Sequence, residues 1–322
     1  MNTEKHTLIT GGAGFIGSHL VDRLLSGGRS VVVIDDFSTG NLANVERHLG
    51  NPRFRLIREK VSECGNLSAL AAAAEEIYHL AAVVGVDLVI KSCIKTIEVN
   101  LSETQAILSA AAAHGAPTLI ASTSEVYGKS SKSVFSEEDD LLIGPPHLSR
   151  WSYACSKLLD EFLGVAHARE RGLPVTIARL FNTVGPRQTG RFGMVLPRFI
   201  EAARKGLPLR VFGDGSQTRC FCYVADTIEA LTALQSLPEK PGEVYNVGGT
   251  EPITILNLAQ LVIKKLGSSS SVEFVPYERA YAPGFEDMAR RRPAIGKLER
   301  AVGFRPRTSL EEIIHLTAQT EV

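Results

Sequence analysis

Tyr153-Ala154-Cys155-Ser156-Lys157 sets a phenol and an ammonium four residues apart. On a helix that spacing puts both on one face. A neighbouring positive charge favours the phenolate and draws down a pKa that is ordinarily about 10. Tyr153 is therefore read as a general base for a substrate hydroxyl. Upstream, Ser122-Thr123-Ser124-Glu125-Val126-Tyr127-Gly128 follows the apolar run Thr118-Leu119-Ile120-Ala121. Thr123, at the end of that strand, can hydrogen-bond the same hydroxyl and the carbonyl oxygen it becomes. Many wet helices carry a Tyr and a Lys at this spacing, so the pair gains meaning only from what surrounds it.

Gly11-Gly12-Ala13-Gly14-Phe15-Ile16-Gly17 supplies those surroundings. Thr7-Leu8-Ile9-Thr10 before it reads as a strand, and Phe15, Leu20 and Leu24 after it fall at helical spacing. Strand, glycine turn and helix make a cradle for a pyrophosphate, with bare backbone N–H groups and a helix start facing the anion. A second strand, Ser30 to Ile34, ends in Asp35-Asp36, eighteen residues after Gly17. Carboxylates there are placed to take the hydroxyls of an adenosine ribose. They repel a 2′-phosphate, and no Lys or Arg follows until Arg47. The expected cofactor is NAD rather than NADP, and an oxidised nicotinamide adds a second positive charge near Tyr153.

The elements that must hold these groups alternate. Phe37-Ser38-Thr39-Gly40-Asn41 is a loop able to lap the adenosine. Phe54–Ile57 is a third strand and Leu67–Ala74 a helix. Ile77–Ala82 is a fourth strand, whose end at Leu80, Ala81 and Ala82, with Val84 beyond, faces the ligands. Thr96–His114 is a helix carrying Asn100, Arg150–Arg171 a helix carrying the Tyr-Lys pair, and Val175–Leu180 a sixth strand. The expected fold class is α/β, a Rossmann-type doubly wound parallel sheet whose ligands gather at the carboxyl ends of the strands. Beyond Asn182 the chain becomes rich in Gly, Pro and Arg. This divides it into a dinucleotide-binding domain over 1–182, with return segments near 216–257, and a smaller substrate-binding region mainly over 183–322. The acidic run Glu137 to Asp140 reads as a solvated face. His79, inside an apolar run, reads as a packed core residue.

Composition narrows the function classes. Among 322 residues, Lys+Arg and Asp+Glu both number 35, so no bulk charge recruits nucleic acid or a membrane surface. No apolar stretch is long enough to span a bilayer, Met1 to His6 has no secretory pattern, and the expected compartment is the cytoplasm. The five cysteines are scattered, and no histidine pair has metal-ligand spacing. No metal is expected. Cys220-x-Cys222 lies in an alternating run and reads as two ordinary thiols.

Thr10 to Gly17, Ser122 to Gly128, Tyr153 to Lys157 and Arg179-Leu180-Phe181-Asn182-Thr183-Val184-Gly185-Pro186-Arg187 closely resemble the extended short-chain dehydrogenase/reductases that act on nucleotide-diphosphate sugars. The resemblance runs nearly end to end. It implies tightly held NAD, with cofactor contacts at Gly11, Gly14, Phe15, Ile16, Gly17, Asp35, Asp36, Ser38, Thr39, Gly40, Leu80, Ala81, Ala82, Asn100, Ser122, Tyr153 and Lys157. It implies Thr123, Ser124, Glu125, Tyr153 and Lys157 as catalytic residues, and a homodimer joined through the helices at about 96–114 and 151–171. Asn182, Arg187, Arg219 and Arg291 are expected to meet a UDP-sugar, since guanidinium forks match paired oxygens. The family's usual acidic adenine contact is replaced at Lys60-Val61, so that contact is not carried over.

The resemblance also implies a first step, removal of hydride from sugar C4. An Asp-Glu pair after the Thr would suit water elimination, but Ser124 stands at the Asp position and disfavours a dehydratase. Glu125 points to a substrate with something extra at C6, and Arg191 to a clamp for its carboxylate. The expectation is a UDP-sugar 4-epimerase acting on UDP-glucuronate ahead of UDP-glucose. UDP-glucuronate decarboxylation is the alternative. A catalytically silent NAD sensor is a third reading, opposed by the intact Thr123, Tyr153 and Lys157.

Overall fold

The computed structural model describes residues 5–85, 89, 92–190, 193–280, 286 and 288–319. The order is β1 (His6–Thr10), α1 (Phe15–Ser26), β2 (Val31–Ile34), β3 (Phe54–Ile57), α2 (Leu67–Ala73), β4 (Ala74–His79), α3 (Cys93–His114), β5 (Thr118–Thr123), α4 (Trp151–Arg171) and β6 (Val175–Leu180). With β11 (Pro241–Val247) these strands form one seven-stranded parallel sheet, ordered β11-β6-β5-β4-β1-β2-β3. Its central strands are buried on both faces, which is why Leu8, Ile9 and Val31 to Ile34 read as continuous apolar runs rather than alternating ones.

Two strand ends differ from the sequence reading in a way that shapes the site. β4 stops at His79 instead of Ala82, because side chains take over its ladder. Ala81 N donates to Thr10 Oγ1 (3.3 Å) and Val83 N to Asn100 Oδ1 (2.8 Å). β5 runs two residues past Ala121, since Ser122 and Thr123 pair with Arg179 and Leu180 of β6. Both changes put side chains at the rim of the sheet.

The remainder begins with β7 (Thr183–Val184), α5 (Val195–Arg204), β8 (Leu209–Phe212), β9 (Thr218–Cys220) and β10 (Cys222–Tyr223). Then α6 (Val224–Gln235) leads the chain back to the large sheet at β11. β12 (Pro252–Thr254), α7 (Ile255–Leu266), β13 (Val272–Val275), α8 (Gly296–Val302) and α9 (Leu310–Ala318) complete it. β8 with β13, and β9 with β12, frame a separate apolar core of Leu196, Phe199, Leu209, Leu258 and Ile314. Both thiols of Cys220-x-Cys222 are buried on either side of the break between β9 and β10.

The acidic run is only partly solvated. Glu137 Oε1 accepts from Asn246 N (2.8 Å) and Asp139 Oδ2 from Ser136 N (2.9 Å), so the run pins its loop to β11. His79 is a packed core histidine, with Nδ1 2.7 Å from Thr10 Oγ1 and Nε2 3.0 Å from Thr104 Oγ1. Among the described residues, no helix is long and apolar enough to cross a membrane and no cluster of His, Cys, Asp and Glu could hold a metal.

Candidate active site

Gly11 sits at φ +72°, and a Cβ on Gly17 would lie 2.2 Å from Gly11 O. Side chains are excluded there by the backbone itself. α1 starts immediately beyond, directing its first N–H groups and dipole into the cradle. A cavity of about 870 Å³ opens over it, along the carboxyl ends of the strands. Gly11, Gly14, Phe15, Ile16, Gly17, Asp35, Asp36, Ser38, Thr39 and Gly40 line one end. Leu80, Ala81, Ala82, Val84, Ser122, Thr123, Ser124, Glu125, Tyr153 and Lys157 line it further along, and Asn182, Arg187 and Arg291 also line it. The donor set fits a dinucleotide: glycine N–H groups for the diphosphate, and a carboxylate at the end of β2 for a ribose.

Asp35 has a structural duty as well. Its Oδ2 accepts from Ala13 N and its Oδ1 from Phe37 N, both at 2.8 Å, stitching the glycine turn to the loop after β2. Burial raises its pKa, opposed by those two hydrogen bonds. Asp36 faces outward and caps Ser38 N (2.8 Å). At Lys60-Val61 the acid comes from another element. Glu103 of α3 accepts from Val61 N (2.6 Å) and Ser62 N (3.2 Å), and lines the same cavity. Nothing in the local sequence of the loop signals that partner.

Several residues expected to meet ligands are also tied into the fold by contacts of their own. Asn100 stands behind the cavity wall, joining Val83 N to Ser156 Oγ (3.0 Å from Nδ2). Arg219, on β9, is buried, does not line the cavity, and donates to Thr218 O (2.8 Å). Asn182 lines the cavity with its amide donating to Cys220 O (2.9 Å). Arg187, at φ +67°, is bound to Asp22 of α1 (2.6 Å) on the flank of the cradle. Arg191 lies outside the described residues.

In the middle of the cavity, Thr123 Oγ1 accepts from Glu125 N (3.2 Å), which starts a short 3₁₀ turn over Ser124–Tyr127 and turns the Glu125 side chain inward. The Thr123 hydroxyl also hydrogen-bonds the Tyr153 phenol and favours its ionised form. The rest of the phenol's surroundings depart from the sequence expectation. Burial and then Glu125 push the Tyr153 pKa upward, and Arg291 draws it back. Lys157 is committed to Asp160, 2.6 Å away. Ser122 Oγ is bonded to Glu161, which is locked to Arg179 of β6 (2.7 Å).

Two arginines converge on Glu125. Arg291 Nη2 is 3.2 Å and Arg150 Nη2 3.6 Å from Glu125 Oε1, with Arg150 nearly fully buried. Arg291 is thus drawn inward, while its neighbours Arg290 and Arg292 stay exposed. Arg150 is carried there by its place at the start of the Tyr-Lys helix, immediately before Trp151.

The model of the GDP-mannose 4,6 dehydratase family matches residues 8–317. The chain belongs to this family. It is 42% identical over 318 residues, 98% of this chain and 97% of the relative, to the UDP-N-acetyl-alpha-D-glucosaminuronate decarboxylase of Bacillus cytotoxicus. It is 38% identical over 321 residues, 98% of this chain and 72% of the relative, to UDP-glucuronic acid decarboxylase 1 of Danio rerio. Among solved structures, the UDP-glucuronic acid 4-epimerase of Bacillus cereus, in complex with UDP-glucuronic acid and NAD, superposes at a TM-score of 0.85 with 32% identity and 98% coverage of both chains. As in these family neighbours the cofactor is NAD, and the enzyme acts on a nucleotide sugar.

Proposed function

We propose that the enzyme decarboxylates a UDP-linked hexuronate, through oxidation at C4. The sequence reading placed 4-epimerisation first and decarboxylation second; the named relatives favour the second. The case for an epimerase leaned on Arg191 as a clamp, and that residue lies outside the described residues. The observation that carries the present reading is Glu125 held by Arg150 and Arg291 beside Tyr153.

NAD, when bound, accepts the C4 hydride and can return it. Tyr153 takes the C4 hydroxyl proton, with Thr123 holding that oxygen. The C6 carboxylate is then β to a ketone and leaves as CO₂, its bonding electron pair passing through C5 to the C4 oxygen. Tyr153, now protonated, and Thr123 donate to that oxygen and stabilise the enolate. Arg150 and Arg291 are the cations able to receive the carboxylate. Glu125 already shares them and repels a second anion, so their hold does not stabilise the ground state as an unshared bidentate arginine would. C5 then takes a proton from cavity water.

Incubation with UDP-glucuronate and with its 2-acetamido counterpart, followed by NMR, tests this reading. It expects CO₂ and a UDP-pentose or its 4-keto form. UDP-galacturonate without CO₂ would restore the epimerase. We further propose a homodimer through α3 and α4, supported by the exposed Ile94 and Phe162 on those helices, and a cytoplasmic enzyme.

A further inference from the structure

Beneath the cavity floor, the Lys157 ammonium has a counter-ion that the proposed chemistry does not use. Asp160 Oδ2 lies 2.6 Å from Lys157 Nζ; the two residues are 0% and 2% exposed. Three residues on along α4, Asp160 does not line the cavity. Its other oxygen, Oδ1, is buried with no hydrogen-bond partner among the described residues. Burial raises the Asp160 pKa, and Lys157 and then the Thr104 hydroxyl of α3 draw it back; that hydroxyl is also bonded to His79, which is bonded to Thr10. A file of polar groups thus runs from the end of β1 to α4, ending at the ion pair of Lys157, which lines the cavity. His79 adds no charge to it at neutral pH, because burial, and then Lys157, push its pKa down to about 3.

We propose that Asp160 is a positioning residue that pins Lys157 from behind and offsets its field at Tyr153, so that the phenol yields its proton only once a cationic nicotinamide lies beside it. The inference rests on NAD and on Tyr153 as the base, not on the choice of sugar. The charged groups around the phenol are few. Glu125 faces it from the turn after β5 and Arg291 from the stretch before α8, with Arg150 against Glu125. Lys157 and Asp160 share its helix. Glu161, next to Asp160, is neutralised by Arg179. Burial first, then Glu125 and Asp160, hold the phenol protonated, and Thr123 and Arg291 oppose them. Removal of one negative charge tips that balance toward the phenolate.

Asp160→Asn keeps the shape and an acceptor for Lys157 while deleting the charge. In protein stripped of nucleotide, the ratio of the dissociation constant of NAD to that of NADH is expected to rise about three- to tenfold, because one negative charge fewer faces the cationic ring. This calorimetric readout needs no sugar, so it stands or falls apart from the decarboxylase reading. In turnover, the low-pH limb of kcat is expected to move down by about one unit. An unchanged ratio and limb would reduce Asp160 to a structural residue and overturn the proposal. An upward move of the limb would also overturn it, by showing that Lys157 needs Asp160 to act at all. Should Asp160→Asn not fold, Thr104→Val, which removes the hydroxyl that meets both the carboxylate and His79, is expected to move both readouts the same way, by about twofold in the ratio. No movement there would equally refute the idea.

Discussion

Arg291 Nη2 stands 3.2 Å from Glu125 Oε1, joining the last stretch of the chain to the turn that follows β5. Both side chains are largely buried, so the contact is a desolvated one whose loss leaves a charge unanswered. Arg291→Ala is expected to lower kcat/KM for UDP-glucuronate by about two orders of magnitude, the scale of about 3 kcal/mol that accompanies a broken buried pair. Arg291→Lys, which keeps the charge without the fork, should recover only part of it. Steady-state kinetics on the two variants checks both statements. An unimpaired Arg291→Ala enzyme would remove this residue from the site.

Tyr153→Phe tests the base directly. Turnover should fall by about three orders of magnitude, within the range attributed to general acid–base catalysis. NAD affinity, measured by calorimetry, should change little, because the glycine cradle and Asp35 remain. Retained turnover would assign proton removal to another group.

His79 makes the fold acid-sensitive, and the sign can be worked out. Its pKa in the folded protein, about 3, lies below the ordinary 6.5. Between those values the unfolded chain binds the extra proton and the folded one does not, so stability falls as pH drops below 6.5. At pH 5 this one side chain costs about 2 kcal/mol relative to neutral pH. His79→Gln, which offers both a donor and an acceptor to Thr10 and Thr104, should flatten the decline of Tm between pH 7 and pH 5. An identical decline in the variant would place the acid sensitivity elsewhere.

Phe162 is 65% exposed on α4 and Ile94 75% exposed on α3. Phe162→Glu is expected to convert a dimer sedimenting near twice the chain mass of 34.8 kDa into a monomer. Equal sedimentation of the variant and the parent protein would dismiss this face as the interface.

The glycine turn and the Tyr-Lys helix were legible in the sequence because their signals are local. Glycine spacing, apolar runs and a Tyr-to-Lys interval are all decided within a turn or a strand. Asp35 was legible for the same reason. What escaped is what only tertiary packing creates. Glu125 meets Arg150 and Arg291 across separations that carry no periodicity, and Glu103 reaches the loop at Val61 from a helix 42 residues on. Asp160 was visible as a carboxylate three places after a lysine, which is ordinary on a wet helix face. Burial alone gives it weight, and burial on this side of α4 depends on α3 lying against it. Nor does the Tyr-to-Lys interval show that the Lys157 ammonium is paired with Asp160.

Phe135, in the loop between β5 and α4, donates its N–H to Arg292 O and accepts from Ala294 N, both at 2.8 Å. That clasp is what presents Arg291 to Glu125. Breaking the pairing of Phe135 with this stretch is thus expected to free Arg291 from Glu125 while leaving the glycine turn between β1 and α1 intact.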